Sequence, residues 1–256
     1  MADKIIWWLG IVVEFMILWR ALGNRSLLKY PFFYLYVASV GFCDVWLYVL
    51  STGSELTYRI WSERAEILNL VLGYGIVLEI FRHVLSRYPG AERFARIVGI
   101  IVFVLIFCFA VIYPLASTAS GTTGPALRKI TIERDFLTVQ AIFFLGILSI
   151  VSYYGLEAGR NIRGMMLGYG VWLGTSLITL SLRFYIGSSF NAVWMFVQPF
   201  SYLLSLVVWL NALWDYSPVP VSQRGIRLDA DYESFVAVTR GLMGQMRSHL
   251  GRAARP

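Results

Sequence analysis

Seven blocks of mainly apolar residues follow one another along the chain, at 5–22, 31–51, 61–85, 94–115, 136–156, 163–186 and 190–214. Each is roughly 18–25 residues long, the length a helix needs to cross the hydrocarbon core of a bilayer. Soluble cores do not produce seven such blocks in a row. Short polar stretches with helix-breaking chemistry separate them: Gly23-Asn24, Thr52-Gly53-Ser54, Pro89-Gly90, Gly159 and Gly187-Ser188-Ser189. The longest connection, 116–132, is rich in Ser, Thr and Gly and reads as a mobile external loop. The pattern predicts an all-α fold, a polytopic membrane helix bundle of seven transmembrane spans over residues 1–214.

Beyond the last block the pattern changes. The string Ser217-Pro218-Val219-Pro220 stops the helix, and 215–256 reads as a linker and tail. Within it, 229–250 has amphipathic spacing: Tyr232, Phe235, Val236, Leu242, Met243, Met246 and Leu250 share one side, with Arg240 and Arg247 on the other. A helix lying on the membrane surface or packed under the bundle is the plain reading. Docking to a second copy of the chain or to another membrane-complex component is the sharper one.

Composition agrees with the blocks. Hydrophobic residues make up 58% of the chain and charged residues 14%, against about 25% charged in soluble domains. The net charge of +7 would suggest nucleic acid for a soluble protein. Here most basic residues flank spans and act as topology signals, so no nucleic-acid partner is expected and the lipid bilayer is the first partner. With the N-terminus outside and the C-terminus cytoplasmic, nine basic residues of the connections and six tail arginines face inward, out of 22. Without the tail the split is nine against seven, so the tail carries much of that orientation. A multi-pass protein of the plasma (inner) membrane is expected. The first block has Asp3 before it and contains Glu14, which suits a retained span better than a signal peptide.

The polar residues inside the blocks are the candidate chemistry, because ionisable groups at membrane depth are costly. At about 1.5 Å rise per residue, Glu14, Asp44 and Glu66 lie roughly 13, 10 and 8 Å below the outer ends of their spans. Asn69 lies one turn below Glu66, and Gln140 and Gln198 fall in the same layer. Trp172, Trp194, Tyr202, Tyr169 and Tyr113 can border it. Polar groups from five spans at one depth, beside aromatic residues, are what a small-ligand pocket needs. Interhelical hydrogen bonds holding the bundle together are the competing reading. Glu14 and Asp44, on consecutive antiparallel spans, are candidates to share a proton.

Near the inner boundary, Glu79 precedes Arg82 and His83 by three and four residues, with Arg20 at a similar level. This spacing predicts an ion-pair network. At the outer face, Glu63, Arg64, Arg134, Asp135 and Arg183 are candidates for a charged rim. The string Leu-Gly-Tyr-Gly occurs at 72–75 and again at 167–170. The copies sit at different depths and nothing around them aligns. Close helix approach at the glycines therefore explains them better than an internal repeat. Pro199 removes a backbone hydrogen bond within the seventh block and should kink it. Pro199 and Tyr202 have the Pro-x-x-Tyr spacing of the seventh span of G-protein-coupled receptors. The likeness covers five residues and lacks the usual Asn, so it is read as a kink.

Several functions are excluded or disfavoured. The three lysines, Lys4, Lys29 and Lys129, lie outside every span, which rules out a retinal Schiff base. Two histidines, His83 and His249, argue against bis-histidine haem and His-rich zinc sites, and no cofactor is expected. Cys43 and Cys108 have no metal-ligand spacing. No P-loop, nucleophile elbow or metallohydrolase motif is present, so a non-enzyme is favoured. The leading expectation is a membrane-embedded sensor or small-ligand-binding protein that signals through a partner. A proton-coupled transporter or channel using the buried carboxylates, and a non-catalytic subunit of a larger membrane complex, remain as alternatives.

Overall fold

The computed structural model describes residues 2–23, 26–85, 125–156 and 158–215, with isolated helical positions at Ile101, Val104, Ser234 and Ala237. These residues are helical with no strand among them. The long helices are α1 (Ala2–Gly23), α2 (Pro31–Leu50), α3 (Glu55–Leu85), α4 (Pro125–Tyr154), α5 (Arg160–Ile186) and α6 (Asn191–Leu213). All six are long and apolar enough to cross a membrane. They coincide with six of the seven blocks. The fourth block, 94–115, and the tail helix at 229–250 lie outside the described residues except for those isolated positions, of which Ile101 and Val104 are exposed.

Three of the starts that differ from the sequence reading do so for a local reason. Helix α3 begins at Glu55 rather than 61, because a polar helical turn projects beyond the apolar slab. Arg59 and Glu63, four residues apart, pair on it at 3.8 Å in an exposed position. Helix α4 begins at Pro125, so the last part of the expected 116–132 loop is helical. Proline is suited to the first helical turn, where its missing N–H is not needed. Helix α5 begins at Arg160. There the Arg160 guanidinium donates to the Asn211 carbonyl and the Asn161 amide to those of Ala212 and Asp215, which ties this start to the end of α6.

The helices form a closed ring in which α1 packs on α2 and α6, α2 on α3, α3 on α4, α4 on α5 and α5 on α6, while α3 also touches α5 across the centre. Side-chain contacts set the directions. Trp7 meets Tyr48 and Trp46 meets Trp61, so α1, α2 and α3 alternate. Arg183 meets Asn191 and Trp209 donates to the Met165 carbonyl, so α5 and α6 are antiparallel. Arg134 lies over Phe184 and Phe144 against Tyr169, so α4 and α5 are antiparallel too. Helices α1 and α6 run parallel, with Arg20 paired to Asp215 at their shared end. It follows that α3 and α4 are also parallel, as Leu70 facing Gln140 and Phe81 facing Phe143 require.

The core is aromatic and centred on Trp209, which is fully buried and meets Phe33, Tyr36 and Tyr202 edge to face. Close packing there depends on small residues. A Cβ at Gly168 would collide with the Trp209 indole, and one at Gly164 with Ala212. Both Leu-Gly-Tyr-Gly strings work in this way. Gly73 faces the Tyr169 hydroxyl, Gly75 faces Phe32 and Gly170 faces Phe144. The outside of the ring is apolar. On α1, Trp8, Val12, Phe15 and Trp19 recur along one exposed face, Phe15 and Trp19 being 65% and 70% exposed. A water-soluble bundle would carry charge on that face.

Candidate functional site

Between α1, α2, α3, α5 and α6, toward the end where α1 begins, lies a cavity of about 310 Å³. Helix α1 contributes Trp7 and Gly10, α2 Tyr36, Val40 and Asp44, and α3 Glu66 and Asn69. Trp172 of α5 and Gln198, Pro199 and Tyr202 of α6 close it, and Glu133 of α4 reaches its edge. This is the layer expected from the sequence. Asp44, Glu66, Asn69, Trp172, Gln198 and Tyr202 come together around one void.

Helix geometry accounts for that convergence. Tyr36, Val40 and Asp44 are spaced four apart and share one face of α2. Glu66, Asn69 and Leu70 do the same on α3. Gln198 is held by two hydrogen bonds to α5: its amide donates to the Ser176 hydroxyl at 2.8 Å, and its carbonyl accepts from the Thr179 hydroxyl at 3.2 Å. Asn69 accepts from Ser39 on α2 at 3.1 Å. Trp7 and Asp44 stand side by side on the cavity wall across the α1–α2 seam. Trp172 is fixed against Tyr169 and Tyr36, with ring centroids 5.5 and 6.1 Å apart.

Glu14 lies immediately beneath this cavity and is 2% exposed. It accepts from the Tyr202 hydroxyl at 2.7 Å through Oε1. Its Oε2 has no hydrogen-bond partner and faces α2 at Gly41, where a Cβ would come within 2.7 Å of it. Gly41 is a site-shaping residue that the sequence reading missed. The available signal was its position three residues before Asp44, on the face turned to Glu14.

Two expected members stand elsewhere. Gln140 is fully buried on α4, where its amide donates to the Leu70 carbonyl at 2.6 Å and its carbonyl accepts from Tyr169 at 3.0 Å. Its polar groups join α3, α4 and α5, the competing role the sequence left open. Trp194 lies under the Arg183 guanidinium, 4.3 Å from the ring centroid, with its buried indole N–H unpartnered. It does not line the cavity. Tyr113 is outside the described residues.

The expected rim resolves into local contacts. Arg134 pairs with its neighbour Asp135 at 3.1 Å, Arg183 donates to Asn191 at 3.0 Å, and Arg64 lies over Trp61.

The inner ion-pair network also takes another form. Arg20 pairs with Asp215 at 3.0 Å and lies over Trp214. Glu79, buried at 4% exposure, accepts from the backbone N–H groups of Phe32 and Phe33 at 3.3 and 2.8 Å. It caps α2. The His83 ring stands 2.9 Å from the Glu79 carbonyl and against Tyr30, and Arg82 is exposed within electrostatic reach of Glu79.

A second hollow, about 840 Å³, runs between α4 and α5. Leucine, valine, phenylalanine and glycine line most of it, with Arg163 at one end. It lacks the converging hydrogen-bonding groups of the first. Among the described residues, no three His, Cys, Asp or Glu side chains converge closely enough to hold a metal ion. No family model matches the chain, and comparison with curated proteins and with solved structures finds no significant match.

Proposed function

We propose that the chain is a seven-span protein of the plasma membrane that binds a small molecule in the outer half of its bundle. Occupancy of that pocket would be passed to a partner, or to a second copy, through the cytoplasmic tail. The observation that carries this reading is the cavity at the layer around Asp44, Glu66 and Gln198. Its wall draws on polar groups from several helices and on the aromatic faces of Trp7, Tyr36 and Trp172. Packed interhelical glue, such as Gln140 provides, leaves no void.

Binding there would draw α1 and α6 toward α2 and α3. Pro199 lines the cavity and interrupts the α6 hydrogen-bond ladder. It is therefore a natural bending point between the pocket and the Trp214–Asp215 end, where Arg20 clasps α1 to the start of the tail.

The test is a thermal-shift screen of purified protein against amines, acids, sugars, quinones and other small metabolites. Saturable stabilisation by at least one class, abolished by Gly10→Leu, which fills the cavity, is expected. No stabilisation by any class would overturn the reading.

Proton-coupled transport is the second reading, favoured by Glu14. A buried carboxyl with one satisfied and one unpartnered oxygen, in the field of Asp44, is a suitable place to load a proton. Flux in proteoliposomes that is lost in Glu14→Gln and Asp44→Asn would support it; flux unchanged by both would remove it.

A further inference from the structure

The wall of the cavity holds a buried donor that nothing in the protein satisfies. Tyr36 is 2% exposed, with its ring against those of Trp172 and Trp209. Its hydroxyl makes no hydrogen bond within the protein and opens onto the cavity that the residue lines. Buried tyrosine hydroxyls ordinarily find a partner. The Tyr202 hydroxyl, on the same wall, does so and donates to Glu14. Tyr36 keeps its donor for something that enters the void.

Two amides of the same wall are half used. Asn69 accepts from Ser39 through its carbonyl and leaves its NH2 group without an acceptor. Gln198 donates one amide hydrogen to Ser176 and accepts from Thr179, which leaves its second hydrogen. Donors from α2, α3 and α6 therefore border one void, and a ligand that meets them carries an acceptor oxygen.

Charge and shape narrow the class. No Lys, Arg or His is among the described lining residues, so an anion would meet Asp44 with no counter-charge beside it. Glu66 and Glu133 are engaged within the protein, and the free oxygen of Glu14 faces Gly41, so the wall offers no set of spare carboxylates to a cation. An uncharged acceptor is left. Trp7, Tyr36 and Trp172 supply ring faces against which a flat molecule stacks. The volume of about 310 Å³ stands at the lower end of ligand pockets, which run from about 300 to 1,000 Å³, and suits one or two fused rings.

From these observations we infer that the cavity takes a small, flat, uncharged carbonyl compound, of the size of an aromatic amide or a quinone ring, whose oxygen accepts from Tyr36 and Asn69. This assignment rests on the ligand-binding reading above and adds the class of ligand.

Two sets of near-isosteric probes test it. Benzamide is compared with benzoate, benzamidine and isopropylbenzene, and 2-methyl-1,4-naphthoquinone with 2-methylnaphthalene. Binding to the purified full chain is measured by titration calorimetry, with thermal shift as a second readout. At least one carbonyl compound should bind roughly three- to tenfold more tightly than its acceptor-free counterpart, and benzamide more tightly than either charged isostere. Tyr36→Phe, which removes only the hydroxyl, should weaken the carbonyl compound at least about threefold and leave the acceptor-free one within about twofold. Asn69→Leu should act in the same direction. Glu63→Gln, at an exposed position outside the cavity, should change nothing. The free proteins supply a further comparison. Tyr36→Phe should melt no lower than the wild type, since its hydroxyl has no internal partner, while Tyr202→Phe loses the bond to Glu14 and should melt lower. Should Asn69→Leu fail to fold, Tyr36→Phe carries the comparison.

Preference for benzoate or benzamidine over benzamide, or no preference for either carbonyl compound over its counterpart, would overturn the assignment and leave a pocket for another ligand class. Carbonyl binding indifferent to Tyr36→Phe, or a Tyr36→Phe protein that melts well below the wild type, would overturn it too. If the probes are silent and the screen yields a ligand, an uncharged carbonyl compound weakened by Tyr36→Phe supports the assignment and any other ligand overturns it. Silence from every compound removes the pocket reading itself.

Discussion

A carboxylate buried against the start of a helix can be satisfied by a cation or by backbone N–H groups, and Glu79 takes the second course. The accounting at α2 is complete. The Tyr30 N–H donates to the Ser26 carbonyl, Pro31 has no N–H, Phe32 and Phe33 donate to Glu79, and Tyr34 donates to the Tyr30 carbonyl. Every donor that the first turn would otherwise leave unmet has an acceptor. Local sequence shows Arg82 and His83 one turn after Glu79, so spacing alone predicts an ion pair. The true partners are 46 and 47 positions away on another helix, and no periodicity reveals them. Glu79→Ala leaves two N–H groups without acceptors in an apolar setting and should lower stability by about 2–3 kcal/mol. Glu79→Gln keeps one acceptor oxygen and should lose about half of that. Unfolding of the detergent-solubilised protein gives both values. If Glu79→Ala were as stable as the wild type, the capping role would be wrong.

At the scale of the element, the small residues decide how closely helices meet. Gly168 and Gly174 lie on the same helix and differ in surroundings: a Cβ at Gly168 strikes the Trp209 indole, while one at Gly174 meets nothing within 4 Å. Trp209 cannot move easily, because Phe33, Tyr36 and Tyr202 pack around it and its indole N–H donates to the Met165 carbonyl. Gly168→Ala should therefore cost about 1–3 kcal/mol through overpacking. Gly174→Ala should be neutral or stabilising by up to about 1 kcal/mol, from helix propensity. Equal effects of the two, in the same unfolding assay, would mean that α5 and α6 do not meet at Gly168.

The same elements show what could be read from the chain beforehand. Six helices, and the shared level at which Asp44, Glu66 and Gln198 meet, follow from block length and the fixed rise per residue. The rotation of each helix about its axis does not, because a span surrounded by lipid and by other helices can be apolar on every side. That is why Gln140 and Gln198, at one depth, have different fates: one is spent between α3 and α5, while the other, bonded to α5, still borders the void. Gly41 is marked in the sequence only by its spacing from Asp44, because its importance comes from Glu14 on the facing helix.

For the molecule as a whole, the ring of helices constrains the span count. Helices α3 and α4 follow one another in the described chain and run parallel, so Leu85 and Pro125 stand at opposite ends of the bundle. A chain that leaves one end and resumes at the other must travel the length of the bundle between them. Residues 86–124 contain the apolar block 94–115, which is long enough to make that journey through a bilayer. Six helices are described, and the proposed seventh crossing would place the two termini on opposite faces. In the proposed orientation the excess of basic residues would direct the tail inward. Single cysteines in a Cys43→Ser, Cys108→Ser background test both points with a membrane-impermeant maleimide. Ser54→Cys, Ser189→Cys and Thr122→Cys should label from outside intact cells, and Ser86→Cys and Ser222→Cys only after permeabilisation. Labelling of Ser86→Cys and Thr122→Cys from the same side would remove the seventh crossing. The full pattern reversed would keep the seven crossings but place the acid-lined cavity on the cytoplasmic side, where any ligand must come from within the cell.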